Sequence, residues 1–192
     1  MSTKILYLDT ETGGLWPARN ALLTIGCILT IDGVEIERKL FQGQPMPGQA
    51  VDPKALEANG LTESEIAAWQ SGPDMYREFT GWLKGYVNKF DKLDKLHLVG
   101  YNVSFDEDFL RAFFKHNKDN YFGSFFWTPS HCVMRMVAYL VKKQRAQLPN
   151  FKLATVAQAL GVKVDPTRTH EALYDCELTY ELAKLCDQHI VD

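Results

Sequence analysis

The stretch Ile5-Leu6-Tyr7-Leu8 runs into two carboxylates one residue apart, Asp9 and Glu11, followed by Gly13 and Gly14. In an extended strand, residues i and i+2 point to the same face. Two acids on one face, with Lys4 before the run and Arg19 well after it, make a hard oxygen site suited to Mg²⁺ or Mn²⁺. A solvated strand end carrying incidental acids is the plainer alternative.

Two further stretches repeat the theme. His97 to Tyr101 is a short apolar strand that leads through Asn102 and Ser104 to Asp106. Ser104 can cap the following helix, and Asp106 falls in its first turn, where the helix dipole also favours an acid. Asn102 could hold the junction through side-chain hydrogen bonds, and Phe105, Phe109 and Leu110 would face the core. The third stretch is Arg168-Thr169-His170-Glu171-Ala172-Leu173-Tyr174-Asp175. Five residues are about 500° of helical rotation, so His170 and Asp175 cannot share a helix face. They converge only if His170 lies in the loop before the helix, as Pro166 and Thr167 suggest.

The elements that would carry these residues form one domain, 1–192. The pattern predicts a strand over 4–9 and another over 21–31. Asp32-Gly33 then makes a hairpin turn into an alternating strand over 34–41. These three form an antiparallel meander. Asp52-Pro53 starts a short helix that ends near Asn59-Gly60. Thr62 and Glu65 form a capping box. Helical spacing follows over 74–90, 104–116, 130–143, 152–160 and 171–190, with a strand over 96–101 and a short strand or loop at Phe125-Phe126. A meander followed by mixed strands and helices predicts an α/β or α+β domain with one mixed sheet.

Composition narrows the class. With 46% hydrophobic and 12% aromatic residues among 192, the chain has a full core and is not disordered. No apolar run approaches the roughly 20 residues of a membrane span, and no secretory signal is visible, so a cytoplasmic protein is expected. Cys27, Cys132, Cys176 and Cys186 form no CxxC pair and read as free thiols. His131-Cys132 lacks a second ligand pair for zinc. The net charge of −3 does not advertise nucleic acid, but it includes every carboxylate gathered for a metal. Lys142-Lys143-Gln144-Arg145, the densest basic run, is either a solvated helix end or a phosphate track.

Taken together, Asp-x-Glu, Asn-x-x-Phe-Asp and His-x4-Asp, in this order, resemble the DEDDh (DnaQ-like) 3′→5′ exonucleases over nearly the whole chain. Asp9 to Leu15 is similar to the family's first motif, and Val51 to Thr62 to the segment after the meander. There the family often has His where this chain has Asn59. Leu153 to Gly161 is similar to the helix before the last motif. Ser130-His131-Cys132 departs from the Asp-Thr of many members, which puts a local helix cap in doubt.

The resemblance implies a ribonuclease-H-like mixed five-stranded sheet flanked by helices. It also implies two divalent ions, Mg or Mn, held by Asp9, Glu11, Asp106 and Asp175, with Asp9 bridging. His170 is the candidate general base, since histidine ordinarily titrates near neutral pH. Thr10, Thr12, Gly13, Gly14, Leu15, Asn102 and Phe105 are the candidate nucleic-acid contacts, with backbone N–H groups of 12–15 reaching the terminal nucleotide. Trp16 is either a stacking platform or a cover for the sheet edge. The expected substrate is the 3′ end of single-stranded or frayed DNA, with RNA as the alternative and a non-catalytic strand-end or polymerase-binding protein ranked low. The chain has no room for a polymerase domain. That suggests a free-standing enzyme or one that docks on a replication partner through its folded surface.

Overall fold

The computed structural model describes residues 2–190. Its sheet has five strands in the order β3-β2-β1-β4-β5: β1 (Lys4–Thr12), β2 (Leu22–Ile31), β3 (Val34–Gln42), β4 (His97–Gly100) and β5 (His131–Cys132). The first three pair antiparallel, and β4 and β5 run parallel to β1. This is the expected meander plus parallel strands. The β2–β3 turn uses Asp32 and Gly33 with φ of 51° and 79°, the left-handed pair that a tight hairpin needs.

The described residues form seven α-helices around the sheet: α1 (Pro53–Asn59), α2 (Glu63–Ala67), α3 (Gly72–Tyr86), α4 (Ser104–His116), α5 (Val133–Leu140), α6 (Leu153–Ala159) and α7 (Ala172–Ile190). On one face, Leu6, Leu8, Ile25 and Cys27 pack with Met75 and Phe79 of α3 and Phe109, Leu110 and Phe113 of α4. On the other, Tyr7, Ile28 and Val99 pack with Val133 and Val137 of α5, Val156 of α6 and Leu178 and Leu182 of α7. A smaller cluster under α1 and α2 joins Ala21, Leu23, Leu56 and Ile66.

Several boundaries differ from the sequence reading. The predicted helix over 130–143 is shorter, because His131 and Cys132 pair with Val99 and Gly100 as β5. Pairing along the open edge of β4 outweighs the local helical pattern, and Phe126 makes only an isolated bridge to Leu96. Helix α3 starts two residues earlier than expected. The Ser71 hydroxyl accepts the Asp74 N–H at 3.2 Å, so Ser71 caps the helix and its first turn starts at Gly72. It also ends earlier, where Lys4 Nζ donates to the Tyr86 carbonyl at 2.6 Å and Asp94 accepts the Asn88 N–H at 2.9 Å. Phe90 is therefore left 86% exposed, outside the helix it was assigned to. The Thr62–Glu65 capping box is present, and the four cysteines are unpaired.

The contact that sets the site is between β2 and α7. Gly26 lies opposite Asp9 in the β1–β2 register. A methyl group at residue 26 would sit 2.6 Å from Leu173 N and closer still to the Ala172 carbonyl. The first turn of α7 thus rests on bare backbone, which brings it within reach of the acids of β1. Gly26→Ala should destabilise the fold by about 1–3 kcal/mol and displace α7 from the site. Gly81→Ala, in open space on α3, should be neutral or slightly stabilising. Urea unfolding of both variants, with the nuclease activity of each, checks the pair.

Candidate active site

The acids of β1 lie within the strand, not beyond it, since β1 continues to Thr12. Asp9 and Glu11 share the α7 face, and the register shifts between Glu11 and Thr12. Asp175 comes from the first turn of α7 and Asp106 from the first turn of α4. The cluster therefore stands at the carboxyl ends of the parallel strands β1 and β4, where α/β sheets commonly bind ligands.

His170 lies in the turn before α7, as the loop reading required. Its φ of 72° is left-handed, and its backbone N–H donates to Asp175 Oδ2 at 3.3 Å. The loop is tied down by Tyr174, whose hydroxyl accepts the Asp165 N–H at 2.6 Å and whose ring lies 4.4 Å beneath the Arg168 guanidinium. Ligand atoms of Glu11, His170 and Asp175 fall within 4.8 Å of one another, with Glu11 buried and His170 exposed. Asp9 and Asp106 are not part of that tightest group. Asp106 is 3% exposed and accepts the Thr10 hydroxyl at 2.7 Å.

Charge at the site is uncompensated. Among the described residues, no Lys or Arg forms an ion pair with Asp9, Glu11, Asp106 or Asp175. Burial pushes Asp9 well above the usual carboxylate range, and Asp106, Glu11 and Asp175 push it further. Glu11 rises to about 8, from burial first and then from Asp175 and Asp106. Burial also raises Asp106, against the Thr10 hydroxyl and backbone N–H groups, and raises Asp175, against the His170 N–H. Across from Glu11 on the same face, the buried Thr24 hydroxyl has no partner. Several oxygen donors, one imidazole and no balancing cation fit a divalent ion.

Beside the cluster is a cavity of about 750 Å³, lined by Thr10, Glu11, Thr12, Gly14, Leu15 and Phe105. Asp52, Pro53, Lys54, Ala55, Ala58 and Asn59 complete the lining. Six of the proposed contact and catalytic residues thus line one cavity. Gly13 and Asn102 do not line it. Gly13 is buried, with its N–H committed to the Ala21 carbonyl at 2.7 Å, so it cannot donate to a nucleotide. Asn102 makes no side-chain hydrogen bond among the described residues. It holds the β4–α4 junction through its left-handed φ of 62°, and its carbonyl accepts the Phe105 N–H at 3.0 Å. Ser104 is not the cap of α4, because that tight turn places Val103 there, without a side-chain bond. Phe105 is half-buried, packing against the core and on Phe109 at 4.9 Å while it lines the cavity, and Phe109 and Leu110 are buried. Thr10 lines the cavity but spends its hydroxyl on Asp106.

Three residues outside the acidic and histidine motifs complete the site, of which the sequence reading noted Asn59. Gly26 admits α7. Asn59, where the family often has His, donates from Nδ2 to the Thr12 carbonyl at 3.0 Å and so ties α1 to the end of β1. Asn20, fully buried, donates to the Gly13 carbonyl at 3.1 Å and to Asp52 Oδ2 at 3.2 Å. Its only sequence signal was an amide between apolar runs. At the start of α5, Cys132 makes no side-chain cap, as the Ser130-His131-Cys132 departure suggested. Lys142, Lys143 and Arg145 are exposed in the turns after α5, beyond the helix end assumed for them.

The exonuclease family model RNase_T matches residues 6–183. The chain belongs to that family. The resemblance of its three motifs to the DEDDh members therefore holds. It is 25% identical over 177 residues to a PolC-type DNA polymerase III of Thermotoga petrophila, covering 92% of this chain and 11% of that protein. It is 24% identical over 177 residues to a DNA polymerase III subunit epsilon-like protein of Rhodobacter capsulatus, covering 92% of this chain and 22% of that protein. The zinc-bound E. coli exonuclease I–ssDNA complex superposes with a TM-score of 0.79 at 22% identity, over 99% of this chain and 41% of that one. E. coli exonuclease I with a dT13 oligonucleotide gives 0.75 at 22% identity, over 95% and 40%. This chain thus spans only a minor part of each of these relatives. No described helix is long and apolar enough to cross a membrane.

The raised acids predict an unusual pH response. In metal-free protein Glu11 keeps its proton to about 8 in the fold, against an ordinary value of 4.5. Between those values the unfolded chain has released a proton that the native state still binds, so raising the pH favours unfolding. His97, lowered by burial and by His131, works in the opposite sense. The comparison with Glu11→Gln isolates the cluster. Wild-type melting temperature should fall relative to Glu11→Gln from pH 5 to pH 8 without metal. Mg²⁺ or Mn²⁺ should recover it more at pH 8 than at pH 5. Parallel thermal-shift profiles for the two proteins would contradict this.

Proposed function

We propose that this chain is a metal-dependent 3′→5′ exonuclease acting on the 3′ end of single-stranded or frayed DNA and releasing nucleoside 5′-monophosphates. The observation that carries the reading is an uncompensated carboxylate cluster, with His170 at its edge, beside a cavity of about 750 Å³. DNA is favoured over RNA by the relatives, which are named as DNA polymerase III proteins and as exonuclease I with ssDNA. The polymerase relatives also support a replication polymerase as a docking partner.

In this reading Asp9, Glu11, Asp106 and Asp175 would hold two divalent ions, Mg or Mn. Such ions would supply a bound water of lowered pKa and stabilisation of negative charge on the phosphate and the leaving 3′-oxygen. The chain's own residues do the rest. Thr10 fixes the Asp106 carboxylate by its 2.7 Å hydrogen bond. Leu15 and Phe105 flank the terminal nucleobase in the cavity they line. His170, exposed in its turn, takes a proton from the attacking water at a ring nitrogen, while Asp175 anchors the His170 backbone. Its position in a turn, not on a helix, lets it meet a bound strand end and reach the solvent with the proton.

End-labelled single-stranded DNA and RNA of one sequence, with Mg²⁺ or Mn²⁺, test the proposal. Stepwise shortening from the 3′ end is expected, faster on DNA and abolished in Asp9→Ala/Glu11→Ala. His170→Ala should retain DNA binding and lose turnover by about 10²–10⁴-fold. Wild-type turnover in that variant would remove His170 from the mechanism. Binding without shortening of either strand would instead favour a non-catalytic end-binding protein.

A further inference from the structure

Trp16 stands out among the four tryptophans. Trp82 donates to Glu37 at 2.6 Å, Trp127 lies under Lys95 at 5.2 Å, and Trp69 packs against the cluster of Leu56 and Ile66. The Trp16 ring makes no hydrogen bond or ring contact among the described residues and is 68% exposed, next to Leu15 at 73%.

The backbone beneath it is nonetheless fixed. The Trp16 N–H donates to Asn20 Oδ1 at 3.0 Å, and its carbonyl accepts from the Arg19 N–H at 2.9 Å and the Asn20 N–H at 2.7 Å. Buried Asn20 in turn binds Asp52, which lines the cavity. Gly14 lets this knot close, since a methyl there would sit 2.6 Å from Asn20 Oδ1. A large apolar ring on an ordered backbone, one residue beyond the cavity wall, loses little freedom on binding a partner. Nearby charge matches a polyanion: Arg19 and Lys54 are exposed and form no ion pair among the described residues.

We infer that Trp16 is a stacking platform for a nucleobase upstream of the terminal one, with Arg19 holding the adjoining phosphate, so that the site takes unpaired strands. The inference rests on the exonuclease reading for where the strand ends. Stacking is tolerant of base identity, because every base has a π-face, so the platform adds affinity for single strands without sequence choice.

The test is fluorescence anisotropy of a labelled dT oligonucleotide with Ca²⁺, beside steady-state cleavage with Mg²⁺. Trp16→Ala should weaken binding by about tenfold or more, with the loss in cleavage falling on KM, and Trp16→Phe should restore most of it. Single abasic substitutions along the last nucleotides locate the contact. At one upstream position the abasic penalty seen with wild type should vanish in Trp16→Ala. Equal binding by wild type and Trp16→Ala, or abasic penalties that persist at every upstream position, would overturn the platform. If wild type cleaves nothing, the exonuclease reading fails, and the anisotropy and abasic comparison still decide the role of Trp16.

Discussion

The first turn of α7 lies against the backbone of β2, and it can do so only because residue 26 has no side chain. Everything at the site follows from that approach. Gly26 is opposite Asp9, so the same contact that seats the helix carries Asp175 to the acids of β1 and places His170 at their edge. A side chain at that position would separate the third motif from the first, whatever the motifs themselves contained.

Bringing the acids together has an electrostatic cost, and the fold is arranged to bear it until a cation does. Burial raises Asp9, Glu11, Asp106 and Asp175, and the neighbouring acids push Asp9 and Glu11 further. The Thr10 hydroxyl at Asp106 and the His170 N–H at Asp175 offset part of this by donating to the charged forms. The supporting elements are the two cores. Phe109, Leu110 and Phe113 fix α4 on one face, and Leu178 and Leu182 fix α7 on the other. Like charges are held at close range by hydrophobic packing on both sides of one sheet.

The cavity wall is built by a different device. Asn20 joins Gly13, Trp16 and Asp52 in one buried knot, and Asn59 ties α1 to Thr12. These amides fix a loop whose apolar tips stay in solvent. Buried amides thus order the loop, and Leu15 and Trp16 are left exposed on it.

The sequence by itself determined the chemistry and the broad architecture. Alternation and the Asp32-Gly33 turn specified the meander, and i,i+2 spacing put Asp9 and Glu11 on one face. Pro166 and Thr167 placed His170 in a loop. These are local effects, set by side-chain direction and backbone preference over a few residues. What only the tertiary structure decided depends on partners distant in the chain. His131 and Cys132 became a strand because β4 offered an unpaired edge, and α3 ended at Tyr86 because Lys4 and Asp94 hold the chain there. The Gly13 N–H is not free for a nucleotide, because the Ala21 carbonyl takes it. Gly26 and Asn20 carried no motif, since their importance lies in how close another backbone comes, a distance that no local pattern encodes.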